Sequence, residues 1–152
     1  MKRFVLFLAV GLASIGAAGP AFAESGIGFR GGLSLDPDDF VVGIHFRTDP
    51  ISENNLFIVP SIEAGFGDVT MLALNGDLHY VFDVDAGVDP YIGGGVTINW
   101  FDYDDGGGSD TEVGGGVLGG ILFGSSRQMF FEVKLGLGDV PDAKLLVGWN
   151  LH

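Results

Sequence analysis

The chain of 152 residues contains no cysteine. No disulfide can staple it, no thiolate can hold a metal, and a cysteine nucleophile is excluded. Positive charge is also scarce: seven Lys and Arg stand against 20 Asp and Glu, for a net charge of −13. Such a chain repels nucleic acid, which is excluded as a partner. Charged residues of both signs make up only 18% of the sequence while hydrophobic residues make up 47%, and mean hydropathy is +0.39, a composition too apolar for an ordinary soluble surface. Yet beyond the N-terminal region no apolar run approaches the ~20 residues that a spanning helix requires. An apolar chain without such a helix points to strands, because a closed sheet is the other structure that satisfies every backbone group in hydrocarbon.

The one long apolar stretch is N-terminal. Lys2 and Arg3 precede FVLFLAVGLASIGAAG, and Ala21-Phe22-Ala23 follows as a small-x-small cleavage site, the pattern of a secretory signal peptide. Gly11, Gly16, Gly19 and Pro20 interrupt the stretch short of spanning length. Residues 1–23 are therefore expected to be removed, leaving 24–152 as a single domain whose negative excess grows as Lys2 and Arg3 depart.

What the rest of the chain does have is alternation. Eight runs, near 27–35, 40–47, 56–66, 70–82, 88–101, 112–123, 128–137 and 144–152, place apolar residues at every second position. The last is the clearest: Leu145, Val147, Trp149 and Leu151 share one face, because a strand has period two. Turn-forming clusters separate the runs, among them Asp36-Pro37-Asp38-Asp39, TDPISENN, Gly67-Asp68, DVDAG, DYDDGGGSD, GSSR and DVPD. Pro60 lies inside the third run and predicts a bulge or local break, since proline cannot donate to a ladder. The connections leave no room for crossover helices, so neighbours should pair antiparallel. The predicted fold is all-β: a closed, antiparallel, up-and-down, eight-stranded transmembrane barrel.

Alternation alone does not say which face is wet. A soluble barrel such as a lipocalin would carry polar groups along its outside, but here the non-apolar face is mostly glycine with isolated charges, which suits a narrow interior. Tracing the meander with both termini on one side gathers the large aromatics into two rings, as membrane interfaces require. Phe46, Tyr80, Phe82, Phe123, Phe131 and Trp149 fall near the terminal side, and Phe40, Phe66 and Trp100 near the other. Arg30, His45, Arg47, Glu63, Asp77, His79, Glu112, Glu132, Lys134 and Lys144 then point into the lumen. They should neutralise one another, because an unpaired charge in a narrow, partly dry lumen costs several kcal/mol. Eight strands enclose a space just wide enough for side chains to fill, so a plugged interior is expected.

A cleavable leader, the absence of cysteine, eight alternating runs and a C-terminal strand ending KLLVGWNLH together resemble the small outer-membrane β-barrel family of Gram-negative bacteria, of the OmpX, opacity-protein and OmpA-barrel type. The likeness covers residues 24 to 152. It implies a monomer in the outer membrane, in contact with outer-membrane lipid and lipopolysaccharide and inserted by the barrel assembly machinery. Family members end on an aromatic residue, whereas here Trp149 is followed by Asn150, Leu151 and His152.

Sites of chemistry are sparse. Asp36, Asp38, Asp39, Asp68, Asp102, Asp104, Asp105, Asp110, Asp139 and Asp142 fall on one rim. The group Asp102, Asp104, Asp105 and Asp110, on a glycine-rich loop, offers the oxygen ligands that calcium or magnesium prefers, although EF-hand spacing is missing and a solvated acidic rim is the plainer reading. No other cofactor is indicated. Some barrels of this size modify lipids with a histidine beside a serine or an acid, but His45, His79 and His152 show no such arrangement, so no catalytic residue is assigned. The sequence thus favours a structural or surface-interaction barrel without enzymatic activity. A narrow solute or ion channel, a lipid-modifying barrel enzyme and a soluble periplasmic barrel binding an apolar ligand are the alternatives.

Overall fold

The structure, a computed structural model, describes residues 26–151 apart from 37, 52–54, 68, 85, 104–107 and 126. The proposed leader, its cleavage site and His152 lie outside the described residues. Eight strands follow one another: β1 (Gly26–Leu35), β2 (Asp39–Arg47), β3 (Leu56–Gly67), β4 (Thr70–Val81), β5 (Asp89–Tyr103), β6 (Gly108–Phe123), β7 (Met129–Gly138) and β8 (Ala143–Leu151). Each pairs antiparallel with its successor, and β1 pairs with β8 to close the barrel.

Period two decides which residues face in. Along β4, Met71, Ala73, Asn75, Asp77, His79 and Val81 are buried, while Leu74, Leu78 and Tyr80 between them are exposed. The same parity holds in β8, where Lys144, Leu146 and Asn150 are buried and Leu145, Val147, Trp149 and Leu151 are exposed. The barrel is thus inverted relative to a water-soluble one, with an apolar outside and its charges within. Outward aromatics lie towards both ends. Phe40 pairs with Phe66 at the end away from the termini, where Trp100 also lies; Phe29 pairs with Trp149 at the terminal end. Phe29 is an additional exposed aromatic of the outward face that the two sequence-derived rings leave out, whereas Tyr103, of inward parity, is exposed at the mouth.

Pro60 breaks the pairing with β2 locally, without a bulge in β3. β3 runs unbroken through it, with Pro60 on the outward face opposite Gly76, and the β2–β3 ladder ends one residue earlier, at His45 and Ser61. The missing N–H thus coincides with an interruption of the pairing with β2, which resumes in register where the Thr48 N–H donates to the Ile58 carbonyl at 3.0 Å. The stretch DYDDGGGSD is likewise less of a loop than its composition suggests: β5 continues to Tyr103 and β6 begins at Gly108, so the two form an extended ribbon.

Inward glycines make room for large side chains on the next strand. A side chain at Gly120 would collide with the Tyr91 ring, and one at Gly148 with the Phe130 ring. Gly120 and Gly148 are thus the ladder partners of these bulky residues.

Candidate functional site

The interior is layered along the barrel axis. Towards the end away from the termini, Val41, Met71, Ala73, Phe101 and Leu146 form an apolar cluster, packed against Val69. Towards the terminal end, Val81, Tyr91, Leu118, Leu122 and Phe130 form a second, packed against Phe57. Between them lies a charged layer drawn from five strands.

In that layer Lys144 Nζ is 2.7 Å from Glu63 Oε2, and Arg30 Nη1 is 3.4 Å from Glu63 Oε1 and 3.7 Å from Glu132 Oε1. Lys134 Nζ donates to both oxygens of Asp77, at 2.8 and 3.0 Å, and reaches Asn75 Oδ1 at 3.3 Å. Three cations thus face three carboxylates. All six side chains are almost wholly buried. Neutral groups extend the network: the Tyr91 hydroxyl donates to Glu132 Oε2 at 2.8 Å, Thr97 Oγ1 to Asn75 Oδ1 at 2.7 Å, and Asn75 Nδ2 to Ser61 at 3.1 Å. Pairing of this kind offsets a desolvation cost that would otherwise reach several kcal/mol per ion.

The two described histidines sit on the terminal side of this layer. His45 Nδ1 accepts from Arg30 Nε at 3.4 Å, which assigns the proton to Nε2, where it meets Asn150 Oδ1 at 2.6 Å. His79 stacks on Tyr91 at a centroid distance of 4.9 Å and stands 3.8 Å from Glu132 Oε2. Neither has a serine nucleophile beside it in these contacts.

Two residues expected in the lumen network point inward but stand apart from the central pairs, Arg47 lining the cavity at the terminal side. Arg47, in the last position of β2, lays its guanidinium over the Phe57 ring at 3.8 Å, and no ion pair among the described residues includes it. Glu112 points inward but above the closed part of the barrel, near Asp110 and Asp139, because β6 outruns β7 there. Of the rim aspartates, Asp39 is buried, since it opens β2 with inward parity. Asp104 and Asp105 lie outside the described residues, and among those described no group of His, Asp or Glu is arranged to hold a metal ion. An ion pair that the sequence reading did not identify joins Arg127 to Asp89 at 2.6 Å across the terminal end. Arg127 lies in the turn after β6, and the pairing of β5 with β6 brings Asp89 beside it.

Little space remains inside. The cavity bounded by Arg30, His45, His79, Tyr91, Phe130 and Glu132 measures about 20 Å³, and one near Thr97, Lys134 and Lys144 about 10 Å³. The first has room for about one water molecule. A wider cup of about 350 Å³ lies at the end away from the termini, walled by Asp36, Glu112, Asp139 and Asp142 with Phe101 and Tyr103.

A closed eight-strand meander with an apolar outside and a charged interior is the fold of the small transmembrane β-barrels of Gram-negative outer membranes. Among solved structures, the N-terminal β-barrel domain of Pseudomonas aeruginosa OprF matches with a TM-score of 0.65 at 17% identity, covering 84% of this chain and 96% of that one. Neisserial surface protein A (NspA) matches with a TM-score of 0.61 at 17% identity, over 84% of this chain and 94% of NspA. A de novo designed transmembrane β-barrel matches at 0.51 and 16% identity, over 83% and 95%. No family model and no curated protein matches the sequence.

Proposed function

We propose that this chain is exported to the outer membrane of a Gram-negative bacterium, loses residues 1–23, and resides there as a monomeric barrel with a closed lumen. Its role is structural or surface-interacting, without catalysis. The observation that carries this reading is the pairing of an apolar exterior with an interior whose charges neutralise one another between two apolar clusters. Hydrocarbon is the environment that such an exterior suits. The interior supports a plug, since ions or solutes would have to displace both clusters and break the pairs. On this reading the chain contacts outer-membrane lipid and lipopolysaccharide along its sides and depends on the barrel assembly machinery for insertion. The acidic end without the termini faces outward, where it remains a candidate for weak calcium or magnesium binding.

The test is fractionation of cells producing the full chain, followed by gel migration with and without boiling and by planar-bilayer recording. Recovery with the outer membrane, a heat-dependent shift in migration and a silent bilayer are expected. Native protein in the detergent-free periplasmic extract would overturn the membrane assignment, and discrete conductance steps would overturn the closed lumen.

A further inference from the structure

The two longest strands do not share their full length with both neighbours. β5 accompanies β6 up to the pair Tyr103 and Gly108, whereas β7 leaves β6 at the pair Gly138 and Gly114. Among the described residues, β6 from Gly108 to Val113 therefore has a strand on one side only. The chain beyond β7 does not extend the ladder. It bends over the mouth, with Val140 lying over Gly114 and the Asp142 carbonyl accepting from the Gly136 N–H at 2.9 Å. Six residues of open edge span roughly 20 Å, the length of an ordinary strand.

Open edges are normally blunted by lysine, proline, a bulge or a covering segment. This one, GSDTEV, has neither lysine nor proline. Its charges are Asp110 and Glu112, both of inward parity and so on the side of the cup. The Thr111 N–H donates to Asp110 Oδ1 at 2.8 Å, a carboxylate standing where a peptide carbonyl would be accommodated.

Charge selects the occupant. The cations of residues 26–151 all lie elsewhere: Arg30, Lys134 and Lys144 inside, and Arg47 and Arg127 at the terminal end. Around the open edge stand Asp110, Glu112, Asp139 and Asp142, with Phe101 and Tyr103 in the wall below. A second copy of the chain would bring one acidic edge against another. A bare divalent ion finds no ready-made ligand set among the described residues.

We propose that the β6 edge from Gly108 to Val113 receives an extended segment of another protein with lysine or arginine at alternate positions, added as a further strand. Backbone bonds hold the segment to β6, and period two turns every second side chain towards Glu112 and the cup. There the cations meet carboxylates and their alkyl stems cover Phe101 and Tyr103. This inference rests on the reading that the cup faces outward, and it gives the surface-interaction role a partner class.

The experiment uses the full folded barrel in nanodiscs and a fluorescent peptide of alternating lysine and threonine, with binding read by anisotropy at low ionic strength. A glutamate-threonine peptide tests charge. Two versions of the lysine peptide, N-methylated at odd or at even residues, keep the charge but each block one edge of the incoming strand. The lysine peptide is expected to bind and the glutamate peptide not; one methylated version should bind about tenfold more weakly than the other. The double variant Asp110→Asn, Glu112→Gln should weaken binding by a similar factor while keeping the heat-shifted migration of the folded barrel. Equal binding of both methylated peptides would reduce the effect to charge adsorption and overturn the proposal. So would absence of lysine-peptide binding, or dimerisation through the edge in its place. A barrel that inserts and shifts with heat yet binds no peptide sinks this inference alone and leaves the membrane assignment standing.

Discussion

Glu132 is the residue on which the interior turns. Its two oxygens meet Arg30, the Tyr91 hydroxyl and His79, from β1, β5 and β4. Removing it leaves a buried guanidinium with less counter-charge and a buried hydroxyl without its acceptor. Glu132→Ala should therefore destabilise the folded barrel by about 3–5 kcal/mol, the cost of breaking a buried pair. Glu132→Gln, which keeps an acceptor for Tyr91, should cost less. Urea unfolding in lipid vesicles measures both; equal effects of the two substitutions would show that charge, and not the hydrogen bond to Tyr91, is what Glu132 supplies. That these carboxylates face inward is legible from alternation. Their partners are not, because Arg30 and Glu132 lie far apart in sequence and meet only across a closed lumen whose registers no local pattern encodes. Arg47 makes the same point: parity puts it inside, but its place at the end of β2 gives it the Phe57 ring in place of a carboxylate.

At the scale of a strand, β8 offers the sharpest contrast between faces and depths. Val147 is exposed on the outside midway along the strand, whereas Leu151 is exposed at its terminal end. An arginine at the bilayer midplane of a barrel costs about 2–4 kcal/mol and near an interface about 0–1 kcal/mol. Val147→Arg should accordingly lower stability in vesicles by about 2–4 kcal/mol, and Leu151→Arg by about 1 kcal/mol or less. Equal small losses at both sites would place the strand in water. Element boundaries are legible where alternation and turn residues agree, as in β8, and hidden where pairing overrides turn chemistry. Asp and Gly in DYDDGGGSD suggest a loop, but an antiparallel partner on one side suffices to keep 102–103 and 108–110 extended. Pro60 is legible as a break, but only in one ladder: pairing with β2 is interrupted there while pairing with β4 continues through Gly76, a distinction that only the register reveals.

The molecule as a whole is a charged layer enclosed by two apolar clusters and wrapped in an apolar sheet. If the ion pairs and the adjoining packing keep the lumen shut, the wild-type barrel conducts no ions. Replacing Arg30, Glu132 and Lys134 together by alanine should then open a measurable leak in planar bilayers, provided that heat-shifted migration shows the variant still folded. An unchanged, silent bilayer would mean that the apolar clusters close the lumen without help from the pairs.

The claim beneath all of this is that the outside of the barrel meets hydrocarbon. The chain's two tryptophans test it without any substitution. Trp100 and Trp149 both face outward, 40% and 46% exposed, towards opposite ends of the barrel. Interfacial aromatics sit at headgroup level, so both should be quenched strongly by lipids brominated high on the acyl chain and weakly by lipids brominated near its end. Tryptophan emission that stays unquenched in every brominated vesicle, while a water-soluble quencher reaches both rings, would contradict the account.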